Sequence, residues 1–202
     1  SNLASSLVSV LYNFRLMALA GENGVAAYGV IMYVNFIFAA IFMGYAIGSA
    51  PVVGYHYGAE HHDELKSLLG KSLRLVAVAG LVLTALSELL ARPLTQIFVG
   101  YDPELWAFTC HGFQLYSLSF LFSGFNVFGS SFFTALNNGL VSAGISFSRT
   151  LLFQVAAVLL LPLLLGIDGI WLAVTAAELA ALLVSIGLFI TRDQQFHYRK
   201  AE

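Results

Sequence analysis

Residues 23–59 and 105–148 contain no Asp, Glu, Lys or Arg. An α-helix rises about 1.5 Å per residue and a bilayer's hydrocarbon core is about 30 Å thick, so about 20 apolar residues cross it. Each uncharged run is long enough. A soluble domain of 202 residues would have to expose both runs to water. The composition agrees, with 59% hydrophobic residues, 10% charged residues and a mean hydropathy of +0.84, against about 25% charged in an ordinary globular chain. Membrane strands would need segments of about ten residues that alternate in polarity, and these runs are longer and apolar on both faces. The expectation is an all-α membrane protein, a bundle of about six transmembrane helices.

Turn signals divide the chain. The first span is expected from about Asn2 to Leu19, ending at Gly21-Glu22-Asn23-Gly24, and the second from about Val25 to Val53, with Pro51 near its end. A polar stretch runs from Gly54 to Lys66. The third span covers about Leu68 to Ala91 and is broken by Arg92-Pro93. Asp102-Pro103-Glu104 then supplies an N-cap, a proline at the first helical position and an acid in the first turn. The fourth span runs from there to about Phe133, and Asn137-Asn138-Gly139 turns the chain. The fifth covers about Leu140 to Leu165. After Gly166-Ile167-Asp168-Gly169 the sixth runs to about Ile190, followed by a polar tail. Ala40, Gly44 and Gly48 recur every fourth residue and are expected to let a neighbouring helix approach closely.

Lys66, Lys71, Arg74, Arg149, Arg192, Arg199 and Lys200 fall on one side, and only Arg15 and Arg92 on the other. The basic side is expected to be cytoplasmic, with both chain ends there. Arg149 lies well inside the fifth apolar run, and the favoured reading has it snorkel to the interface rather than stay buried. The chain opens at Ser1, without Met, inside an apolar stretch that lacks a basic leader or cleavage site. It is therefore expected to be a fragment. A net charge of −2 points to no nucleic-acid partner, and the single Cys110 reads as a buried structural thiol.

The stretch Gly48-Ser49-Ala50-Pro51-Val52-Val53-Gly54-Tyr55-His56-Tyr57-Gly58-Ala59 resembles the end of the eighth helix of the multidrug and toxic-compound extrusion (MATE) family. Gly21–Gly29 resembles the turn after that family's seventh helix, Phe132–Asn138 the end of its tenth, and Gly166–Trp171 the turn between its last two. The order and spacing of these pieces cover essentially the whole chain. The resemblance implies the C-terminal six-helix lobe, residues 1–202, of a twelve-helix carrier whose N-terminal lobe is missing from this chain. It also implies a multi-pass protein of the plasma or inner membrane. Lipophilic cationic small molecules would bind between the lobes, and inward H⁺ or Na⁺ movement would drive their export. Some members carry cation-site acids on helices seven and ten. The matching helices here offer Ser5, Ser6, Ser9 and Asn13, then Gln114, Tyr116, Ser117, Ser119 and Asn126. The coupling ion is therefore expected mainly in the other half, and no other cofactor is implied.

Glu178 is the most informative side chain. It lies about ten positions into the sixth span, where a carboxylate is costly unless protonated, hydrated or paired. Such an acid could bind and release a proton, and Thr175 and Ser185 share its face at helical spacing. Asn35, Tyr116, Asn126 and Gln154 also lie within spans and should face protein or a wet cavity. With Glu178 and Arg15 they form the candidate pathway, and aromatics such as Phe113, Tyr116, Phe120 and Phe128 could offer faces to a lipophilic cation. The alternative for Arg15 is to snorkel or to pair with Glu22, and Glu88 and Arg92, four apart, read as an interfacial ion pair.

His61, His62, Asp63 and Glu64 read as a solvated face rather than a metal site, because adjacent helical residues point about 100° apart. No nucleophile or phosphate loop points to an enzyme. A lipid-linked sugar flippase of related fold would want a strongly cationic cavity, and a nontransporting membrane scaffold is the remaining alternative.

Overall fold

The computed structural model describes residues 2–192, and within them the chain is almost entirely helical. The elements are α1 (Asn2–Gly58), α2 (His62–Val99), α3 (Pro103–Ser117), α4 (Phe120–Ala135), α5 (Gly139–Phe147), a π-helical stretch (Ser148–Phe153), α6 (Gln154–Leu165) and α7 (Ile167–Thr191).

Helix α1 is folded back on itself. Tyr12 and Tyr28 stand sixteen positions apart, about 24 Å along a straight helix, yet their rings stack at 5.2 Å with planes 6° apart. The chain reverses at Gly21, whose φ of 62° and ψ of −148° are open to glycine and strained for other residues. The first two expected spans are thus the two arms of α1. Four helices, the α5-to-α6 run counted as one, are long and apolar enough to cross a membrane, and α3 and α4, bent by 47° at their break, meet the same test only when taken together. With α1 counted as two arms, the described residues make six passes. The polar tail, with Arg199 and Lys200, lies outside them.

Three boundaries differ from expectation. The second arm of α1 runs through Pro51 to Gly58, and the reversal comes at Glu60, with φ 57°. Pro93 does not end α2. The carbonyls of Ala91 and Arg92 just before it accept bonds from Thr95 Oγ1 at 2.7 and 3.2 Å, and Trp106 Nε1 also donates to Arg92 at 3.3 Å. The carbonyl that Pro93 deprives of its amide partner is that of Leu89, four residues back, and the helix nevertheless continues to Val99. The fourth span is broken at residues 118–119 without proline or glycine. Gly80, Thr84 and Glu88, on one stripe of α2, cover the break. A Cβ on Gly80 would lie 2.9 Å from the Phe120 carbonyl. Thr84 Oγ1 donates to the Ser117 carbonyl at 3.4 Å, and Ser117 Oγ donates to Glu88 Oε1 at 2.9 Å. Among the described residues Glu88 and Arg92 form no ion pair; Ser117 occupies the carboxylate instead.

The Asp102 cap forms as expected, Oδ1 accepting from the amides of Glu104 and Leu105 at 2.9 and 3.2 Å. Cys110 is buried. The small residues that pack are not those of the regular stripe. Ala40, Gly44 and Gly48 face outward, with nothing within 4 Å of a Cβ at either glycine. Gly112 and Gly124 instead admit the rings of Trp171 and Phe42, which would lie 2.7 and 2.6 Å from an added Cβ. Hydroxyls bind the helices where lipid offers no partners: Tyr45 Oη donates to Ser72 Oγ at 2.7 Å, and Ser131 Oγ to the Ala46 carbonyl at 2.9 Å. The outer surface is largely Leu, Ile, Val and Phe, as lipid requires.

Candidate functional site

Both arms of α1, the α3–α4 break, the π-helical stretch and α7 line a partly open cavity of about 360 Å³. The break turns Tyr116, Ser119, Phe120 and Ser123 toward it, and the π-helical stretch presents Arg149 and Thr150. A π-turn adds a residue to the helical register, and here the arginine is directed inward.

Glu178 forms part of the wall. On α7 the buried residues Trp171, Val174, Glu178, Ala181 and Ser185 follow alternating three- and four-residue steps, so the acid lies in the helix's packing seam. It is 7% exposed. Asn126 of α4 holds it, Nδ2 donating to Oε2 at 2.7 Å and to the Glu178 carbonyl at 2.8 Å. Ser185 Oγ donates to Asn126 Oδ1 at 3.1 Å, which fixes the amide's orientation. The other carboxylate oxygen, Oε1, meets Arg149 Nε at 3.7 Å, an ion pair longer than a good hydrogen bond. One oxygen of Glu178 is therefore firmly bound, and the other faces a loosely held cation.

The remainder of the wall joins aromatic faces to hydroxyl and amide groups. Tyr12, Tyr28, Tyr116 and Phe120 line it with Asn35 and Gln154. Tyr12 Oη and Ser123 Oγ are buried and have no hydrogen-bond partner among the described residues. Buried polar groups of this kind ordinarily bind water or solute.

The structure thus brings Glu178, Gln154, Asn35 and Tyr116 onto one cavity and sets Asn126 directly behind the acid. Arg15 lies outside the lining; its Nη2 reaches the Leu159 carbonyl at 3.5 Å, and it forms no ion pair with Glu22 among the described residues. Of the polar stripe on α7, Ser185 joins the cluster, while Thr175 Oγ1 is buried without a partner among the described residues. Arg149 corrects the interfacial expectation: it turns into the bundle because Glu178 offers it a counter-charge there. Sequence reasoning also missed Tyr12, Tyr28 and Ser123. The signal for Arg149 was present, since it and Glu178 are the lone charged residues of two successive apolar runs.

Comparison with curated protein sequences finds no match. Among solved structures, the chain is similar to a MATE protein crystallised in complex with MaL6, at 20% identity and TM-score 0.88, over 96% of this chain and 44% of that one. It is equally similar to an outward-facing multidrug resistance MATE family transporter of the MOP superfamily, at 19% identity and TM-score 0.89, over 96% and 44%. The inward-facing conformation of such a transporter matches at 19% identity and TM-score 0.89, over 98% and 46%. The chain therefore spans less than half the length of these structures, and at such identity the likeness is one of fold. The bundle has the architecture of one lobe of a MATE structure. The sequence model of the MatE family matches residues 1–160, and the chain belongs to that family.

Proposed function

We propose that the chain is the C-terminal lobe of a secondary-active efflux carrier that exchanges lipophilic organic cations for H⁺ or Na⁺ by alternating access. The observation that carries this reading is Glu178, a buried acid on an aromatic-lined cavity whose counter-ion stands 3.7 Å away. A cationic guest can compete with Arg149 for Oε1 while Tyr12, Tyr116 and Phe120 offer ring faces to it. The candidate pathway is then Glu178, Gln154, Asn35 and Tyr116, with Asn126 as the positioning residue. The first and fourth spans lack the paired acids of some family members, so the coupling ion binds mainly in the N-terminal lobe. That ion must bind one state better than the other, because only differential affinity shifts a conformational equilibrium.

The carrier resides in the plasma or inner membrane. Lys66, Lys71, Arg74 and Arg192 mark the cytoplasmic side, and Arg15 and Arg92 the opposite one. A sugar-pyrophosphate flippase is disfavoured, since the cavity holds a single cation and that cation faces a carboxylate.

The test uses the full-length protein in proteoliposomes and a fluorescent lipophilic cation. Transport should follow an imposed H⁺ or Na⁺ gradient, and Glu178→Gln should slow it by about tenfold. Transport that ignores both gradients would refute the antiport reading. Unchanged transport by the variant at normal expression would remove Glu178 from the mechanism.

A further inference from the structure

A second concavity, an open groove of about 600 Å³, runs between α2 and α7. Its floor is apolar, made by Leu69, Leu73, Phe125, Ile186 and Phe189, and Lys66 is its one charged lining residue. Two shallower hollows continue from it along α2. The first is lined by Asp63, Lys66, Lys71 and Arg74 and shares Gly70 with the groove. The second begins at Arg74 and is otherwise Leu75, Val78, Ala79 and Val82.

Asp63, Lys66, Gly70 and Arg74 follow three- and four-residue steps and share one side of α2, and Lys71, three residues before Arg74, flanks that side and lines the same hollow. Lys66, Lys71 and Arg74 are exposed, and none forms an ion pair among the described residues. Against three cations the stripe sets one carboxylate. Gly70 stands where cationic rim meets apolar floor, and nothing lies within 4 Å of a Cβ added there. On α2 the groove runs from Lys66 to Leu73, about 10 Å along the helix and about two-thirds of the depth of one leaflet's hydrocarbon.

We propose that this groove binds an anionic diacyl phospholipid. Its phosphate sits among Lys66, Lys71 and Arg74, and an acyl chain lies past Gly70 on the floor between α2 and α7. The charge of the rim selects an anion, and the apolar floor selects a molecule with a hydrocarbon tail, which a free phosphate lacks. Basic pockets between transmembrane helices at the interface are suited to such headgroups. Through Ser185, which lines the groove and donates to Asn126, the lipid site adjoins the polar cluster that holds Glu178.

The experiment reconstitutes the full-length protein in bilayers of equal phosphatidylglycerol and phosphatidylcholine. After extraction into mild detergent, the retained lipid is measured by mass spectrometry. Phosphatidylglycerol should be retained about tenfold over phosphatidylcholine. The triple variant Lys66→Gln, Lys71→Gln, Arg74→Gln should abolish this preference. Gly70→Leu, with every charge in place, should lower retention of both lipids by filling the mouth of the groove. Equal retention of the two lipids by the unmodified protein would overturn the proposal. So would a preference unchanged in the triple variant, or undiminished retention of both lipids by Gly70→Leu. Retention that appears only after residues 193–202 are deleted would also overturn it, by identifying the tail as the occupant.

Discussion

Asn126 holds Glu178 at two points, one on the side-chain carboxylate at 2.7 Å and one on the main-chain carbonyl at 2.8 Å. The second bond is unusual in use, because the Glu178 carbonyl lies within a helix. A single amide thereby fixes both the rotamer of the acid and the seat of α7 against α4. Replacing Asn126 with Leu keeps the approximate volume and removes both donors. The carboxylate is then left with only the distant Arg149. The expected cost is about 1–3 kcal/mol, the range for a buried acceptor deprived of its partner. It is read as a fall in the Tm of the detergent-solubilised full-length protein. Ser185→Ala, which removes only the bond that orients the amide, should cost about 1 kcal/mol or less.

The Arg149–Glu178 pair should behave as a coupled unit. Removing one member of a buried pair strands the other, whereas removing both can be nearly neutral. Arg149 retains 28% exposure of its side chain, so solvent moderates the penalty. Arg149→Met and Glu178→Gln are each expected to lower stability by about 1–2 kcal/mol, and the double variant by less than their sum. A double-mutant cycle on thermal unfolding measures this. Strict additivity would mean that the two side chains do not interact.

The bundle was legible because uncharged runs leave few alternatives, and the turns were legible where glycine, asparagine or Asp-Pro marked them. Gly21, Asn137 and Gly166, all with positive φ, fall within those turns. The α3–α4 break was not legible, because nothing in its own sequence causes it. It is held by Gly80, Thr84 and Glu88 on another helix. The small-residue stripe misled for a similar reason: spacing shows where a helix can approach but not whether a neighbour is present. For the site, Glu178 was legible as a lone acid in an apolar run, but Arg149 was read outward because its residue type usually snorkels. Reflecting the chain about Gly166 places Gln154 opposite Glu178, with Arg149 five residues, about 7 Å, further along. That gap is within reach of an arginine side chain.

Glu88 distinguishes a hydrogen bond from an ion pair. Its carboxylate accepts from Ser117 at the helix break, and Arg92 takes no part. Arg92→Gln should therefore change stability by less than about 0.5 kcal/mol. Glu88→Gln, which keeps an acceptor for Ser117, should be almost as mild. Glu88→Ala should cost about 1 kcal/mol. Thermal unfolding at two salt concentrations checks the set. Equal losses for Arg92→Gln and Glu88→Ala, both diminished by salt, would restore the ion-pair reading.

Gly124 and Phe42 provide a test of packing that does not involve charge. A Cβ on Gly124 would lie 2.6 and 2.8 Å from two carbons of the Phe42 ring, closer than real contacts allow. Phe42 is only 3% exposed, so its ring has little room to withdraw. Gly124→Ala is expected to destabilise the protein by about 1–3 kcal/mol, the cost of overpacking a filled core. Phe42→Leu alone should also destabilise, because it opens space beside α4. Combined, the two changes compensate in volume, and the double variant should be more stable than the sum of single effects by about 1 kcal/mol. Gly29→Ala serves as the control, since no heavy atom lies within 4 Å of an added Cβ there. If Gly124→Ala unfolds at the same temperature as Gly29→Ala, the arms of α1 do not press on α4 in the way described.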